Sequence, residues 1–231
     1  MHLLRSLLFY FIYYGTLVPH ALLCVFPGIL LPVKYRYKYF LIWNAASVWL
    51  LGFICGVKFQ VHGKDNVPSG AFVMIANHQS PWETLYLYYA FLPITAILKR
   101  ELLKIPFFGW GLWLLEPIAI DRNKKGRALQ QLLEQGKKKL EDGISILVFP
   151  EGTRVAPGTE KKYSAGGAEL AISSGVPIIP VAHNAGLFWP AHKIIKHPGT
   201  IQVVIGEPIN PAGRNAREVT QEVEAWIRQA I

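Results

Sequence analysis

The sequence has few charged residues, few cysteines and, in its first 60 residues, no acidic residue at all. Charged residues make up 17% of the 231 positions and hydrophobic residues 52%. This balance excludes a disordered chain and is unusual for a freely soluble domain. The two cysteines, Cys24 and Cys55, form no CxxC pair, so the sequence has neither a zinc-binding spacing nor a disulfide framework. The length predicts one globular domain with at most a short additional segment.

The distribution of acidic residues divides the chain into two parts. The bases of residues 1–60 are Arg5, Lys34, Arg36, Lys38 and Lys58. The first carboxylate is Asp65, so the net charge of +9 divides into +5 for this segment and +4 for the remainder, which has 19 bases and 15 acids. We therefore predict a membrane-associated segment over residues 1–57 and a globular domain of mixed charge over residues 58–231.

Two apolar stretches within residues 1–57 are each close to the roughly 20 residues that a bilayer-spanning helix needs. They run from Ser6 to Leu31 and from Tyr39 to Val57, and Pro19 and Pro27 interrupt the first. Two full spans would leave almost no difference in positive charge between the two sides of the membrane. We therefore favour a helical hairpin embedded mainly in one leaflet, with its bases on anionic headgroups, over two full spans.

After residue 58, apolar runs typical of strands alternate with helical patterns. We predict strands over residues 71–76, 94–98, 118–120, 144–149, 177–181 and 201–205. We predict helices over 82–92, 124–141, 165–174 and 216–231, and a further helix, rich in glycine and tryptophan, that ends at Leu115. This alternation predicts an α/β domain with a mostly parallel central sheet flanked by helices. Ligands bind beyond the carboxyl ends of such strands, so we expect the site just after Ala76, Ile120 and Phe149.

The first of these strand ends leads into residues 77–83, with the sequence NHQSPWE. These residues have the features of a helix start, because Ser80 as N-cap, Pro81 in the first turn and Glu83 three residues after Ser80 form a capping box. They also place a carboxylate close to His78. Glu83 can accept a hydrogen bond from one ring nitrogen of His78 while the other takes a proton. The two interpretations are compatible with each other.

A second strand end leads into residues 150–154, with the sequence PEGTR. Arg154 offers a guanidinium fork for phosphate or carboxylate, Glu151 can accept from a hydroxyl group, and Gly152 permits a close backbone approach. By itself, this sequence is also compatible with an ordinary loop.

Other charged residues near strand ends are Lys99 and the Asp121–Arg122 pair. Each is compatible with an anion site or with exposed surface charge. His183, His192 and His197 have no spacing typical of a metal site, so we expect structural roles for them and no bound metal.

The motifs of several enzyme classes are absent from the sequence. It contains no GxSxG, GxxxxGK[ST], complete GxGxxG or HExxH pattern. Serine hydrolases, nucleotide phosphotransferases, Rossmann dehydrogenases and zinc proteases are therefore disfavoured.

Taken together and in their order, the motifs resemble those of the glycerolipid acyltransferase family, from about Lys58 to the end of the chain. The family's His-x4-Asp box resembles His78 to Glu83, its second block the run ending at Arg122, its Pro-Glu-Gly block residues 149–154, and its proline-flanked apolar block residues 176–181. The usual aspartate of the first block is replaced by Glu83, which keeps the carboxylate but adds a methylene group.

This resemblance implies transfer of a fatty acyl chain from acyl-CoA or acyl-carrier protein to the sn-2 hydroxyl of 1-acyl-sn-glycerol-3-phosphate, which yields phosphatidic acid for phospholipid biosynthesis. It implies that His78 is the general base and that Glu83 orients it. Arg154, with Lys99 and Arg122, would hold the acceptor phosphate. The remaining substrate-binding residues implied by the resemblance are Glu151, Gly152 and Thr153.

The resemblance further implies no cofactor and no metal, membrane lipids but no nucleic acid as partners, and a membrane location with the active site on the cytoplasmic face. Two alternatives remain open. The acceptor can be another lysophospholipid or a lyso-aminolipid, or the protein can be a catalytically silent lipid-binding membrane protein. The intact box at His78 and the PEGTR sequence weigh against the silent protein, which needs neither.

Overall fold

The computed structural model describes residues 1–121 and 125–231. Its N-terminal helices are α1 (His2–Leu30), α2 (Val33–Phe40) and α3 (Ile42–Cys55). The remaining helices are α4 (Pro81–Ala90), α5 (Phe108–Leu114), α6 (Lys125–Glu141), α7 (Gly166–Ser174) and α8 (Ala216–Ala230). The strands are β1 (Val57–His62), β2 (Val73–Ala76), β3 (Ile94–Lys99), β4 (Ile118–Ile120), β5 (Ser145–Val148), β6 (Ile178–His183) and β7 (Gly199–Ile205). Short 3-10 turns cover Lys64–Asn66, Arg100–Lys104 and Ala185–Leu187.

The predicted strands and helices of the globular domain are all present, with ends displaced by only a few residues. Strand β1 was not predicted, although its sequence VKFQVH alternates apolar and polar residues as a half-buried strand does. Arg122 lies outside the described residues.

The seven strands form one sheet in the order β1-β7-β6-β2-β5-β3-β4. Every neighbouring pair is parallel except β6 and β7, which are antiparallel, so the predicted α/β fold with a mostly parallel sheet is confirmed. A parallel pair needs a crossover, usually a helix. Only a loop with a 3-10 turn joins β6 to β7. The five strands from β6 to β4 run in the same direction, so their carboxyl ends share one edge.

The side chains of the central strands point alternately into two apolar layers, one on each face of the sheet. Met74 and Ala76 of β2 face a cluster that includes α3 and α4, whereas Val73 and Ile75 face a cluster that includes α6, α7 and α8. The sheet is therefore covered on both faces, as is usual for parallel strands.

Helix α1 runs without a break through Pro19 and Pro27, so these prolines do not divide the first apolar stretch. The second stretch is divided at Leu41 into α2 and α3. Residues His2–Cys24 and Tyr35–Cys55 are apolar and long enough to cross a membrane, and most of these side chains are not buried in the protein.

Helix α1 is docked on the globular domain near both of its ends. The Ser6 Oγ accepts a hydrogen bond from the Lys196 amide at 2.9 Å, and the ring of Phe9 meets Trp189 edge-on with centroids 5.2 Å apart. Near the other end, a Cβ placed on Gly28 would lie 3.0 Å from Leu114 of α5. The first helix and the globular domain therefore share an apolar core.

The connection between α1 and α3 also contacts the globular domain. The Tyr37 hydroxyl donates to the Leu115 carbonyl at 2.8 Å. The Arg36 guanidinium lies 3.7 Å from the Glu116 carboxylate, which is paired at 2.8 Å with Lys139 of α6. Helix α2 is thus held against the C-terminal end of α5.

Candidate functional site

The centre of the site is a histidine–glutamate pair at the carboxyl end of β2. His78 lies in the turn between β2 and α4, and its Nδ1 is 2.8 Å from Oε1 of Glu83 in the first turn of α4. Glu83 is 0% exposed, whereas His78 is partly accessible. The turn therefore presents one edge of an imidazole whose other edge is held by a buried carboxylate.

The same carboxylate oxygen completes the predicted capping box of α4. Oε1 of Glu83 accepts from the amides of Ser80 at 2.8 Å and Gln79 at 3.0 Å. The Ser80 hydroxyl accepts from the Trp82 amide at 3.1 Å. The helix cap and the orientation of His78 consequently depend on one carboxylate.

The hydrogen bonds around Glu83 define which ring nitrogen of His78 faces the carboxylate. Burial raises the pKa of Glu83, but the imidazoles of His183 and His78 and the Ser80 amide together lower this pKa below its ordinary value. An ionised carboxylate only accepts, so Nδ1 of His78 carries the proton in this hydrogen bond. Nε2 of the neutral ring is then free to accept a proton from a substrate hydroxyl.

The PEGTR segment holds His78 from its other side. The ring of Phe149 stacks on that of His78 with centroids 4.1 Å apart and planes at 15°. The His78 amide donates to Oε1 of Glu151 at 3.2 Å, and the Val155 amide donates to the His78 carbonyl at 2.7 Å. The first and second motifs, distant in sequence, therefore form one structural unit.

Glu151 is largely buried, with 8% of its surface exposed, and burial raises its pKa to about 7 although backbone hydrogen bonds oppose that rise. Its Oε1 is used by the His78 amide, whereas Oε2 has no hydrogen-bond partner among the described residues. Gly152 follows with φ of +70°, in the left-handed region that favours glycine, and Gly152 and Thr153 are exposed.

Arg154 lies at the edge of an apolar cavity of about 210 Å³. Its Nε is buried and has no hydrogen-bond partner within the described part of the chain. Residues from five helices line the cavity: they include Tyr13 and Leu17 of α1, Phe40 of α2, Trp43 of α3, Thr84 and Leu85 of α4, and Leu112 of α5. A positive group beside an apolar cavity suits a ligand that has an anionic head and an aliphatic chain.

Lys99, which is another predicted phosphate ligand, is separated from His78 by a strand. Lys99 is exposed at the end of β3, on the same edge of the sheet, but β5 separates β3 from β2. Within the described residues, no group of three or more histidine, cysteine, aspartate or glutamate side chains has an arrangement that could hold a metal ion.

Two contributions to the site were missed by the sequence analysis. One is the wall that α1 supplies to the cavity, because the apolar pattern of α1 is the same for lipid contact and for protein contact. The other is His183, which is completely buried with Nε2 4.0 Å from Oε2 of Glu83. Its position follows from the adjacency of β6 and β2, which no local sequence signal encodes.

Comparison with known proteins supports an enzymatic site. Residues 58–184 match a family model described as Acyltransferase. The chain is 42% identical to a 1-acyl-sn-glycerol-3-phosphate acyltransferase of Pseudomonas aeruginosa over 99% of this chain and 90% of that protein. It is 30% identical to the mouse 1-acyl-sn-glycerol-3-phosphate acyltransferase alpha over 72% of this chain and 60% of that protein.

A solved structure is also similar over nearly the whole chain. The crystal structure of the 1-acyl-sn-glycerophosphate acyltransferase PlsC from Thermotoga maritima superposes with a TM-score of 0.82 at 27% identity and covers 99% of this chain and 94% of that one. The family resemblance predicted from the sequence motifs is confirmed by these matches.

We expect Glu151→Gln to stabilise the protein at alkaline pH and to have little effect near pH 4.5. The folded state raises the pKa of Glu151 from an ordinary 4.5 to about 7, so ionisation of Glu151 opposes folding increasingly as the pH rises through this interval. One pKa unit corresponds to about 1.4 kcal/mol, so the difference should reach about 3–3.5 kcal/mol above pH 7. Glutamine keeps an oxygen for the His78 amide.

The measurement is the thermal unfolding midpoint of both proteins in detergent at a series of pH values. Glu218→Gln, on the exposed face of α8, controls for the loss of one negative charge. A difference between Glu151→Gln and the unsubstituted protein that stays constant with pH would contradict this assignment.

Proposed function

The chain belongs to the acyltransferase family, and we propose that it transfers a fatty acyl chain to the sn-2 hydroxyl of 1-acyl-sn-glycerol-3-phosphate, giving phosphatidic acid. The observation that carries this proposal is the hydrogen-bonded His78–Glu83 pair. The hydrogen bond from the Val155 amide to the His78 carbonyl joins this pair to the segment of Arg154, which borders the apolar cavity. The names of the similar proteins support the choice of acceptor. Acyl-CoA or acyl-carrier protein is the proposed donor.

The chemistry follows from the geometry of the pair. Nε2 of His78 removes the proton of the acceptor hydroxyl while the hydroxyl oxygen attacks the thioester carbonyl. The tetrahedral intermediate then collapses, the C–S bond breaks, and the leaving thiolate takes the proton from His78. The carboxylate of Glu83 stabilises the imidazolium that exists between these steps and keeps its ring in one orientation. None of these steps requires a metal or a cofactor.

Arg154 is the proposed ligand of the acceptor phosphate. Its buried Nε lacks a partner among the described residues, and a charge-assisted bond to phosphate would satisfy this donor. The adjacent apolar cavity suits an acyl chain. Lys99 and Arg122 stay as predicted additional phosphate ligands.

The geometry changes the role that we propose for the PEGTR segment. Glu151 uses one oxygen to hold the backbone of His78, so we assign it to positioning the base. Gly152 and Thr153, which are exposed next to it, are the residues that we propose to contact the glycerol portion of the acceptor.

We propose that α1 and α3 lie in one leaflet of the membrane. The contacts of α1 with the globular domain extend from Ser6 to Gly28, a length of about 33 Å, which equals the roughly 30 Å thickness of the hydrocarbon core. A transverse α1 would therefore draw Lys196 and the ion-paired Glu116 into or across the bilayer. The contacts of Arg36 and Tyr37 also hold the α1–α3 connection against the globular domain.

The outward faces of both helices are apolar, with Phe11 79% and Phe53 76% exposed. Such faces suit immersion among acyl chains, with the bases of residues 1–60 at the headgroups. We place the active site on the cytoplasmic side of the membrane, where both proposed donors are found.

The function is tested by acyl transfer from acyl-CoA and from acyl-carrier protein to a panel of lyso-lipids, using purified protein in lipid vesicles. We expect 1-acyl-sn-glycerol-3-phosphate to be the best acceptor. His78→Ala should lower the rate about 10²–10⁴-fold, because a general base contributes by this factor. His197→Ala, which removes an exposed histidine, should leave the rate unchanged.

Each other result contradicts part of the proposal. Transfer only to another lysophospholipid or to a lyso-aminolipid would show that the proposed acceptor is wrong and would identify the actual one. Binding of lyso-lipids without transfer from either donor would identify a catalytically silent lipid-binding protein.

Arg154→Ala should raise the KM for the lysophosphatidate acceptor about 10- to 100-fold, because a hydrogen bond to a charged group contributes about 1.5–3 kcal/mol. The KM for the thioester should change little. The preference for lysophosphatidate over 1-monoacylglycerol, which has no phosphate, should fall by the same factor. Arg217→Ala removes an exposed arginine of α8 as the charge-matched control. Equal increases in both KM values would contradict phosphate binding.

The membrane arrangement is tested by labelling single cysteines from one side of sealed vesicles. Cys24 and Cys55, both buried, are first replaced by alanine, and Lys38→Cys and Lys58→Cys are introduced separately. Insertion in one leaflet predicts that a membrane-impermeant thiol reagent reaches both positions from the same side. Two full spans would place the two positions on opposite sides.

A further inference from the structure

The inference concerns His183, the last residue of β6, which is completely buried beside the catalytic pair. Three hydrogen bonds join it to Asn77. The His183 amide donates to Oδ1 of Asn77 at 3.0 Å, Nδ2 of Asn77 donates to the His183 carbonyl at 2.8 Å, and Nε2 of His183 lies 2.7 Å from the Asn77 carbonyl. The imidazole of His183 is therefore fixed to the residue that immediately precedes His78.

The partners of the His183 ring assign its protonation state. A carbonyl oxygen only accepts, so Nε2 carries a hydrogen. The Ala185 amide donates to Nδ1 at 3.3 Å, so Nδ1 carries none. The ring is thus a neutral imidazole with a single hydrogen on Nε2. Burial, which lowers the pKa of His183 more than the nearby Glu83 carboxylate raises it, is consistent with this state.

The two oxygens of the Glu83 carboxylate differ in their hydrogen bonds. Oε1 accepts from Nδ1 of His78 and from the amides of Gln79 and Ser80. Oε2 is buried without a hydrogen-bond partner among the described residues, and Nε2 of His183 lies 4.0 Å from it. An unpaired buried carboxylate oxygen is unfavourable. The Nε2–H of His183 is donated to the Asn77 carbonyl, so His183 can act on Oε2 only through the dipole of its ring, across 4.0 Å and without a hydrogen bond.

The identity of residue 83 explains why the second histidine matters here. The resembled family has an aspartate in its box, and glutamate extends the carboxylate by one methylene group. At the end of this longer side chain, Oε2 reaches the neighbourhood of His183.

We propose that His183 is a positioning residue for acyl transfer that acts through Glu83. Its neutral imidazole, held by Asn77, presents partial positive charge towards Oε2 of Glu83, so that the carboxylate keeps Oε1 on His78. This proposal rests on the proposed function, because its kinetic readout is acyl transfer.

The first test compares His183→Leu with His183→Gln. Leucine removes the N–H, whereas the amide of glutamine places an N–H close to the position of Nε2. We expect His183→Leu to lower kcat about 10- to 100-fold, as a small misplacement of a catalytic group does, with the KM for lysophosphatidate nearly unchanged. His183→Gln should retain most of the kcat. If both variants retain the full kcat per folded molecule and only unfold at lower temperature, His183 is merely structural and the proposal is wrong.

A double-mutant cycle tests whether the effect passes through Glu83. Glu83→Asp keeps a carboxylate in the form usual for the resembled family, but its shorter side chain withdraws Oε2 from His183. We expect His183→Leu to change kcat much less in the Glu83→Asp background than in the natural one. The same fold-loss in both backgrounds would show that His183 acts independently of Glu83 and would overturn the proposal.

A measurement on the natural sequence remains valid if a variant fails to fold. Uniformly ¹³C- and ¹⁵N-labelled protein is examined by NMR in detergent micelles, and the ring signals of His183 are assigned by backbone-to-ring correlations within the unsubstituted protein. We expect a neutral ring with protonated Nε2 and unprotonated Nδ1 at neutral pH. A cationic ring, or the opposite tautomer, would overturn the proposal. Absence of acyl transfer in the unsubstituted protein would instead refute the proposed function and leave this measurement interpretable.

Discussion

The site depends on a negative charge that is kept fully out of water. A buried carboxylate is normally driven to its neutral form, but the neighbouring His183 and the donors on Oε1, which are Nδ1 of His78 and two backbone amides, hold the pKa of Glu83 below its ordinary value. The amides belong to the turn that follows β2, so the path of the chain and the charge of the site stabilise each other. Loss of the carboxylate would at once remove the helix cap and release the imidazole.

The surrounding elements constrain this turn from several directions. Phe149 stacks on the His78 ring, Glu151 holds the His78 amide, and Val155 holds its carbonyl. Residues from β2, from the segment after β5 and from the end of β6 meet because these strands are adjacent and parallel. In the role that we propose for it, an imidazole fixed by packing on several sides would lose little orientation during turnover.

The parts of this arrangement that were predictable are local in sequence. The box from His78 to Glu83 and its capping residues lie within a few positions of one another, so their geometry follows from one turn and one helix start. The alternating apolar runs likewise predicted the parallel strands. The reversal of β7, the docking of Phe9 on Trp189 and the proximity of His183 to Glu83 depend on contacts between distant segments. Local periodicity and capping signals carry no information about such pairings.

The participation of α1 in the cavity wall has a consequence for the evolution of this protein. A membrane anchor that only tethers an enzyme tolerates replacement by another apolar helix of suitable length. Here, Tyr13 and Leu17 border the same cavity as Arg154, so one face of α1 contributes to the shape of this cavity while its other face is exposed. On the function and membrane arrangement that we propose, substitutions on the inner face would be subject to selection by the ligand, and those on the outer face only by the bilayer.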